Sequence, residues 1–205
     1  FRVTAMAANT EKFRNIRAGC FNFLDSFHFL SNSLSGLVQN LKNDGHDFPI
    51  LNHFRHGLLN GSVAADKELL VRKGVFPYEL IRSVRQMSEM IDFPEHSKFY
   101  SRLTEKNITE ADHAHGLGVY RAAGCANFED YAMLYNRLDV YLLASVMMWY
   151  RNMVYAENKL DFSQFLSQPH LAFNIALLTK EDKVELVTDL DMHLMVSEYP
   201  LKMNL

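Results

Sequence analysis

Apolar residues recur at helical spacing in several segments of the chain. In the first of these, apolar positions at i, i+3, i+4 and i+7 run from Leu34 to Leu41. Ser33 stands in front of them as an N-cap, and Asn43-Asp44-Gly45 follows as a stop signal. The pattern predicts a short amphipathic helix.

The longest periodic segment runs from Phe128 to Glu157, with Asn127 in front of it as an N-cap. At ~1.5 Å per residue a helix of this length spans ~45 Å. Its apolar stripe consists of Tyr131, Leu134, Leu138, Leu142, Val146, Trp149 and Val154.

Three further helices are indicated by their terminal signals. Thr109-Glu110-Ala111-Asp112 has the form of a capping box, and the helix behind it should end at Gly124. Ser167-Gln168-Pro169 predicts the start of another helix, because proline suits the first turn. Residues 183–196 have the pattern of a final helix.

Irregular structure is predicted between residues 45 and 78, apart from a helix-compatible stretch at 64–72. Residues 45–61 are rich in Asn, His and Gly, which predicts a surface connection. In the segment Lys73-Gly74-Val75-Phe76-Pro77-Tyr78, glycine frees the backbone and proline pushes the preceding residue into an extended conformation. We therefore expect a loop at 73–78.

Two runs near the N-terminus, Phe1–Ala7 and Cys20–Leu24, are compatible with β-strands. The polar stretch between them, Asn9–Arg17, predicts a hairpin connection or two neighbouring strands. Taken with the helices, these runs predict an α/β fold that is rich in helix and has a small sheet near the N-terminus.

Composition restricts the partners and the compartment. The chain of 205 residues carries 21 Lys and Arg against 24 Asp and Glu, so any contact with DNA must be local. No apolar run approaches the ~18 to 20 residues that cross a bilayer, so no membrane partner is expected. Cys20 and Cys125 are too few for a disulfide framework, which favours the nucleus or cytoplasm over secretion.

Tyr135 and Asp139 are the first candidates for chemistry. They stand at i and i+4, so both side chains project from the same face of the long helix. A carboxylate beside a phenol can bind a divalent ion and orient the water that attacks a phosphodiester. The spacing is equally compatible with a solvated Asp beside a half-buried Tyr.

Several segments, in order, resemble protein-primed family B DNA polymerases, and the likeness is closest to the polymerases of Polinton or Maverick transposons. The segment CFNFLDSFHFLSNSLSGLVQNL, residues 20–41, resembles the region between the second and third exonuclease motifs. Residues 73–78 match the family text KGVFPY, and Tyr135 to Asp139 falls on the third exonuclease motif, Y-x-x-x-D. Residues 160–161 and 167–178 resemble the stretch that follows in the family.

The resemblance implies a role for five residues. Asp139 would be a metal-binding carboxylate of the 3′–5′ proofreading site, and Tyr135 would position the attacking water or the scissile phosphate. Lys73 matches a lysine that stabilises charge on the phosphate, although it is also compatible with a solvated loop residue. Ser26 and Phe27 match the element that holds the single-stranded primer end, with Phe in place of the usual Leu.

The same comparison shows which motifs this chain lacks. The first exonuclease motif, D-x-E, is not found before Phe21, and neither is the second, N-x-x-F-D; the polymerase motifs, including D-T-D, are missing too. One Asp supplies too few ligands for a pair of divalent ions. We therefore expect a fragment in which residues 1–157 form the C-terminal part of an RNase H-like exonuclease domain and 158–205 a helical connection to the polymerase palm. In the RNase H-like fold that the resemblance implies, the long helix would pack against the sheet.

The complete enzyme implied by the resemblance is a DNA-directed DNA polymerase, a nucleotidyltransferase with a 3′–5′ exonuclease domain. Its partners would be template-primer DNA, deoxynucleoside triphosphates, Mg²⁺ or Mn²⁺, and a terminal protein as primer; the fragment alone should be inactive. The alternative is a non-enzymatic helical interaction domain, derived from a decayed transposon polymerase, that kept the fold and lost the chemistry.

Overall fold

Helices dominate this computed structural model, which describes residues 2–7, 13–54, 67–181 and 188–198. The three strands are β1 (Val3–Ala7), β2 (Phe13–Ala18) and β3 (Phe21–Leu24). The helices are α1 (Leu34–Asn43), α2 (Pro49–Phe54), α3 (Lys67–Leu70), α4 (Val84–Glu89), α5 (Glu110–Ala122), α6 (Phe128–Asn158), α7 (Gln168–Thr179) and α8 (Leu190–Glu198). Single 3₁₀ turns cover Ser26–His28, His96–Phe99 and Phe162–Gln164.

The chain divides into two compact units, residues 1–168 and 169–205. The first contains the sheet and α1 to α6, and the second contains nearly all of α7 together with α8. The helix predicted to start at Ser167-Gln168-Pro169 is confirmed by α7. Of the helix predicted at 183–196, the structure has α8; residues 182–187 lie outside the described part.

Helix α6 forms as the periodicity predicts, over 31 residues. The Asn127 side chain accepts a hydrogen bond from the backbone N–H of Asp130 and so caps the first turn. Lys159 ends the helix in the left-handed conformation, with φ of 56°. Of the predicted apolar stripe, all residues but the half-buried Trp149 are buried.

The apolar face of α6 packs against the helices α1, α2 and α4. Among the described residues, none from β1, β2 or β3 belongs to the core cluster around α6. The prediction that α6 packs against the sheet is therefore wrong in the described part of the chain. The physical reason is that the short N-terminal strands keep most of their side chains exposed, whereas the helices present wide apolar faces.

Capping side chains fix the starts of α1 and α5, as the sequence predicts. Ser33 Oγ accepts from the N–H of Gly36, and Thr109 Oγ1 accepts from the N–H of Asp112. Gly124 follows α5 with a φ of +62°, a conformation that glycine adopts without steric cost. Both helices end within two residues of their predicted stops.

Helix α2 corrects the prediction of a plain surface connection at 45–61; residues 55–61 lie outside the described part. The segment 49–54 becomes helical because Phe48 and Leu51 are buried in the core beside α6. The N–H of Leu51, one of the unpaired donors in the first turn of α2, donates to Ser145 Oγ at 3.3 Å. Tertiary packing therefore decides a segment whose own pattern is too short to predict.

The sheet is antiparallel, in the order β1-β2-β3. The N-terminal strand prediction holds for β1 and β3, but the polar stretch Asn9–Arg17 is not only a connection, since most of β2 lies within it. In β2, Ile16 and Ala18 alternate with polar neighbours, so the strand has one apolar and one polar face. This pattern is sufficient for a small sheet that stays largely exposed to solvent.

The segment 73–78 is irregular, as predicted, and follows the short helix α3. Only the part Lys67–Leu70 of the stretch 64–72 is helical, and residues 64–66 lie outside the described part. In the described residues, no helix is both long and apolar enough to cross a membrane.

Two glycines of α5 differ sharply in the space around them. A Cβ at Gly116 would stand 2.9 Å from both Phe93 Cζ and Val75 Cγ2. A Cβ at Gly118 would have only Leu69 Cδ1 near it, at 3.9 Å. The chain of α5 therefore approaches segment 73–78 closely at Gly116 and not at Gly118.

This difference predicts opposite effects of the same substitution. Gly116→Ala should destabilise the chain by up to about 2 kcal/mol, because overpacking costs about 1 to 3 kcal/mol and the gain in helix propensity is only about 1 kcal/mol. Gly118→Ala should stabilise it by about 0.5 to 1 kcal/mol. Urea unfolding of both variants measures the two signs. Equal effects at the two positions would show that the close approach at Gly116 is absent.

Candidate functional site

The loop 73–78 and the middle of α6 pack directly against each other. A Cβ at Gly74 would be 3.0 Å from Cδ2 of Tyr135, so a larger residue at this position would displace the ring by a few tenths of an ångström. One turn earlier on α6, the Tyr131 hydroxyl donates to the carbonyl of Val75 at 2.8 Å. These contacts hold the loop against the helix face that carries Tyr135 and Asp139.

A second tyrosine joins this face from the end of the loop. The hydroxyls of Tyr78 and Tyr135 share a hydrogen bond of 2.9 Å. Phe76 lies between them and the core, with ring centroids 5.1 Å from Tyr78 and 5.3 Å from Tyr135. The loop thus brings the Tyr78 phenol next to Tyr135, although the sequence pattern assigned no role to Tyr78.

Lys73, Tyr78, Tyr135 and Asp139 form what we call the Asp139 cluster. Burial raises the pKa of Asp139 above its ordinary value, while the Lys73 ammonium and the Tyr135 hydroxyl act in the opposite direction. Its Oδ1 atom is buried and has no hydrogen-bond partner among the described residues. The fold therefore keeps this carboxylate at a cost in folding stability, because one of its oxygens is buried without a hydrogen-bond partner among the described residues.

Tyr135 stays a neutral phenol in this setting. Burial raises its pKa, and the hydrogen bond to Tyr78 and the neighbouring carboxylate raise it further. A protonated hydroxyl beside a carboxylate can position a water or a phosphate oxygen, but it cannot act as a phenolate base near neutral pH. The half-buried ring, packed on Gly74, fixes where the hydroxyl points.

Of the residues predicted from the sequence, Lys73, Tyr135 and Asp139 are brought together although Lys73 and Asp139 come from distant parts of the chain. Tyr78 is the cluster member that sequence reasoning missed. Its signal was present, since it closes the KGVFPY segment directly after Pro77, but only the folded loop reveals its partner.

Ser26 and Phe27 lie on a different element, the 3₁₀ turn 26–28. Asp25 caps this turn by accepting from the N–H of Phe27 at 3.0 Å. The Phe27 side chain is 58% exposed. No hydrogen bond or ring contact among the described residues joins Ser26 or Phe27 to the Asp139 cluster.

The described residues contain no group of three or more His, Cys, Asp or Glu side chains that could hold a metal ion. Asp139, with its open Oδ1, fits one ligand of a divalent ion. A pair of ions needs further carboxylates that these residues do not supply. The Asp139 cluster is therefore at most one side of a metal-dependent site.

Comparison with known proteins adds no family assignment: no family model, no curated protein and no solved structure matches the chain.

Proposed function

We propose that this chain contributes the third exonuclease motif and primer-end binding to a protein-primed family B DNA polymerase. In this proposal the fold is the later part of an RNase H-like exonuclease domain followed by a helical run toward the palm. The enzyme as a whole would copy DNA and proofread it by 3′–5′ degradation. Segments outside this chain would provide the missing carboxylates.

One observation carries the proposal. The two segments that most resemble the family, KGVFPY and Y-x-x-x-D, are about 60 residues apart in sequence, and they meet in the Asp139 cluster. Their packing around the half-buried Asp139 carboxylate supports the proposal that both segments belong to one site.

The cluster suggests a division of labour. Asp139 supplies negative charge and one ligand to Mg²⁺ or Mn²⁺, which the complete enzyme would use. The Tyr135 hydroxyl, held by Tyr78, orients the water or the scissile phosphate. The Lys73 ammonium, which acts electrostatically on Asp139, would offset charge on that phosphate.

The remaining proposed partners follow from the same family. Template-primer DNA would reach the site through Ser26 and the exposed ring of Phe27, which can stack on a base. Deoxynucleoside triphosphates and a terminal protein would engage the polymerase part.

The second candidate is a non-enzymatic interaction domain left by a decayed transposon polymerase. It is favoured by the lack, among the described residues, of any group of three or more His, Cys, Asp or Glu side chains that could hold a metal ion. In that case the Tyr78 and Tyr135 pair would serve only to fasten the loop 73–78 to α6.

The reading frame around this chain separates the two candidates. We expect a transcript that carries D-x-E upstream of Phe1 and D-T-D downstream of Leu205, in frame with the chain. Stop codons, or substituted carboxylates in those motifs, would favour the interaction domain instead.

The isolated chain should be inactive, because it lacks the other carboxylates. We expect neither nucleotide incorporation nor degradation of single-stranded DNA with Mg²⁺ or Mn²⁺. A gel assay on highly purified chain measures both activities. Metal-dependent digestion that Asp139→Ala abolishes would show that the chain holds a complete site after all.

A further inference from the structure

A cleft of about 670 Å³ lies between α1 and the segment 69–73, with His115 of α5 on one wall. Its floor is apolar, formed by Val38, Leu69 and Val71. Polar side chains line the rest, and three of them are cations: Lys42, Arg72 and Lys73. All the residues that line the cleft belong to the first compact unit.

The three cations differ in how far their charge is already neutralised. Arg72 forms an ion pair with Asp112, which also accepts from the Thr109 hydroxyl. Lys73 faces Asp139 in the cluster. Lys42, on the last turn of α1, has no carboxylate within ion-pair distance among the described residues. Lys42 is thus the cation with most capacity for a new anion.

His115 adds no fourth charge to this wall. Its Nε2–H donates to the carbonyl of Leu69 at 2.9 Å, and burial lowers the pKa of the ring. The ring is therefore neutral near pH 7 and serves to hold the segment 69–73 in place. The attraction for an anion rests on the lysines and on what remains of the Arg72 charge.

The size and lining of the cleft favour a segment of a nucleic-acid strand over a small ion as its ligand. A volume of this order suits a nucleotide-sized group and greatly exceeds a single phosphate. The apolar floor gives sugars or bases a surface on which to lie, while the cations at the edge match phosphates. Ser35 and Gln39 of α1 add hydroxyl and amide groups that can hydrogen-bond phosphate oxygens.

The cleft and the Asp139 cluster share one residue, Lys73. This residue lines the cleft, and its neighbour Gly74 packs on the Tyr135 ring. A DNA strand that lies in the cleft would therefore pass next to the Asp139 carboxylate. The overall charge of −3 gives no global attraction for DNA, so electrostatic contact with DNA must come from a local cationic site such as this one.

We propose that this cleft binds the phosphodiester backbone of single-stranded DNA, with Lys42 as its principal free cation. The identity of the ligand rests on the proposed function; the location rests on the cleft. The cleft would hold the nucleotides next to those at the Asp139 cluster. Recognition would be electrostatic and independent of base sequence.

Binding of a labelled oligo(dT) of about 12 nucleotides to the full chain, measured by fluorescence anisotropy, tests the site. Lys42→Ala should weaken binding about three- to tenfold at low salt and reduce the slope of log affinity against log salt by about 0.7. Lys42→Arg should restore both. Lys98→Ala, an exposed lysine outside the cleft, is the matched control and should leave both unchanged.

A second variant tests the site without removing a cation. Ser35→Asp places a carboxylate in the cleft at the first turn of α1, where negative charge suits the helix, so the fold should be kept. Affinity should fall at least as far as in Lys42→Ala. Ser97→Asp, on the exposed 3₁₀ turn 96–99, is the control. Unchanged affinity in both Lys42→Ala and Ser35→Asp would overturn the proposal.

Competitors identify the ligand. An abasic oligodeoxynucleotide of the same length should compete nearly as well as oligo(dT), and inorganic phosphate or dTMP should compete only at far higher concentration. Equal competition by dTMP would make this a mononucleotide site, and equal competition by polyglutamate a general polyanion surface; either result overturns the proposal.

Failure of this inference can be told from failure of the proposed function. If Lys42→Ala weakens binding but Asp139→Ala leaves proofreading intact, the cleft stands and the exonuclease role falls. If Asp139→Ala abolishes proofreading and Lys42→Ala leaves binding intact, only the cleft is wrong.

Discussion

In the full-length enzyme, Asp139→Ala is expected to lower 3′–5′ degradation of a mismatched primer end by about 10² to 10³-fold or more, with polymerisation largely retained. In the proposed site the carboxylate would be a ligand that supplies charge to the metal ion, and loss of one such electrostatic partner costs rates of this order. Under the proposed function, polymerisation would depend on carboxylates in segments outside this chain. Primer degradation and primer extension, assayed on the same preparation, measure the two effects.

Tyr135→Phe should cost less than Asp139→Ala. It removes one hydroxyl, breaks the hydrogen bond to Tyr78 and keeps the ring that packs on Gly74. Glu157→Ala, an exposed carboxylate at the far end of the same helix, is the control and should leave proofreading unchanged. Proofreading that survives Asp139→Ala would reduce Asp139 to a carboxylate on a packing helix.

Two phenylalanines that are two residues apart should respond in opposite ways to alanine. Phe27 is 58% exposed, whereas Phe29 is 1% exposed and meets the ring of Phe162 edge to face at 4.9 Å. Phe27→Ala should weaken binding of single-stranded DNA to the full-length enzyme by about 1 to 3 kcal/mol, the value of stacking on one base. Its free energy of unfolding should change by less than about 0.5 kcal/mol.

Phe29→Ala should instead lower the free energy of unfolding by about 3 to 5 kcal/mol, as expected for a buried aromatic side chain. Urea unfolding and DNA binding on the same two variants separate the roles. The primer-end role of Phe27 would be rejected if Phe27→Ala binds DNA like the unchanged protein.

The sequence predicts well where a helix is long and capped. For α6, the apolar stripe and the Asn127 cap act within one segment, so local pattern determines the element. For α2, the helix depends on Leu51 packing beside α6 and on a hydrogen bond to Ser145, about 94 positions away in sequence. Such a partner is invisible to periodicity, and β2 was missed because its polar residues obscure a short alternation.

The sequence predicts which residues form the candidate site better than it predicts their burial and contacts. The i, i+4 spacing gives Tyr135 and Asp139 a common face, and the resemblance added Lys73. Neither indicates that Asp139 is half buried or that Tyr78 completes the cluster, because both depend on how the loop 73–78 folds onto α6.

The central claim is that Asp139 is kept for chemistry and not for the fold, and unfolding of Asp139→Asn against pH tests it most directly. Burial raises the pKa of Asp139 in the folded chain above its ordinary value of 3.8. The folded state therefore binds this proton more tightly, so this residue favours folding most below pH 3.8. That contribution is lost as pH rises through the folded pKa.

Asparagine has nearly the same shape as aspartate and does not ionise, so the Asp139→Asn chain does not lose this stability as pH rises. We predict that Asp139→Asn unfolds like the unchanged chain at acid pH and becomes more stable than it near pH 7. Urea unfolding of both proteins at a series of pH values measures the difference. An Asp139→Asn chain that is less stable near pH 7, with the deficit vanishing in acid, would show that the charge serves the fold and would contradict the claim.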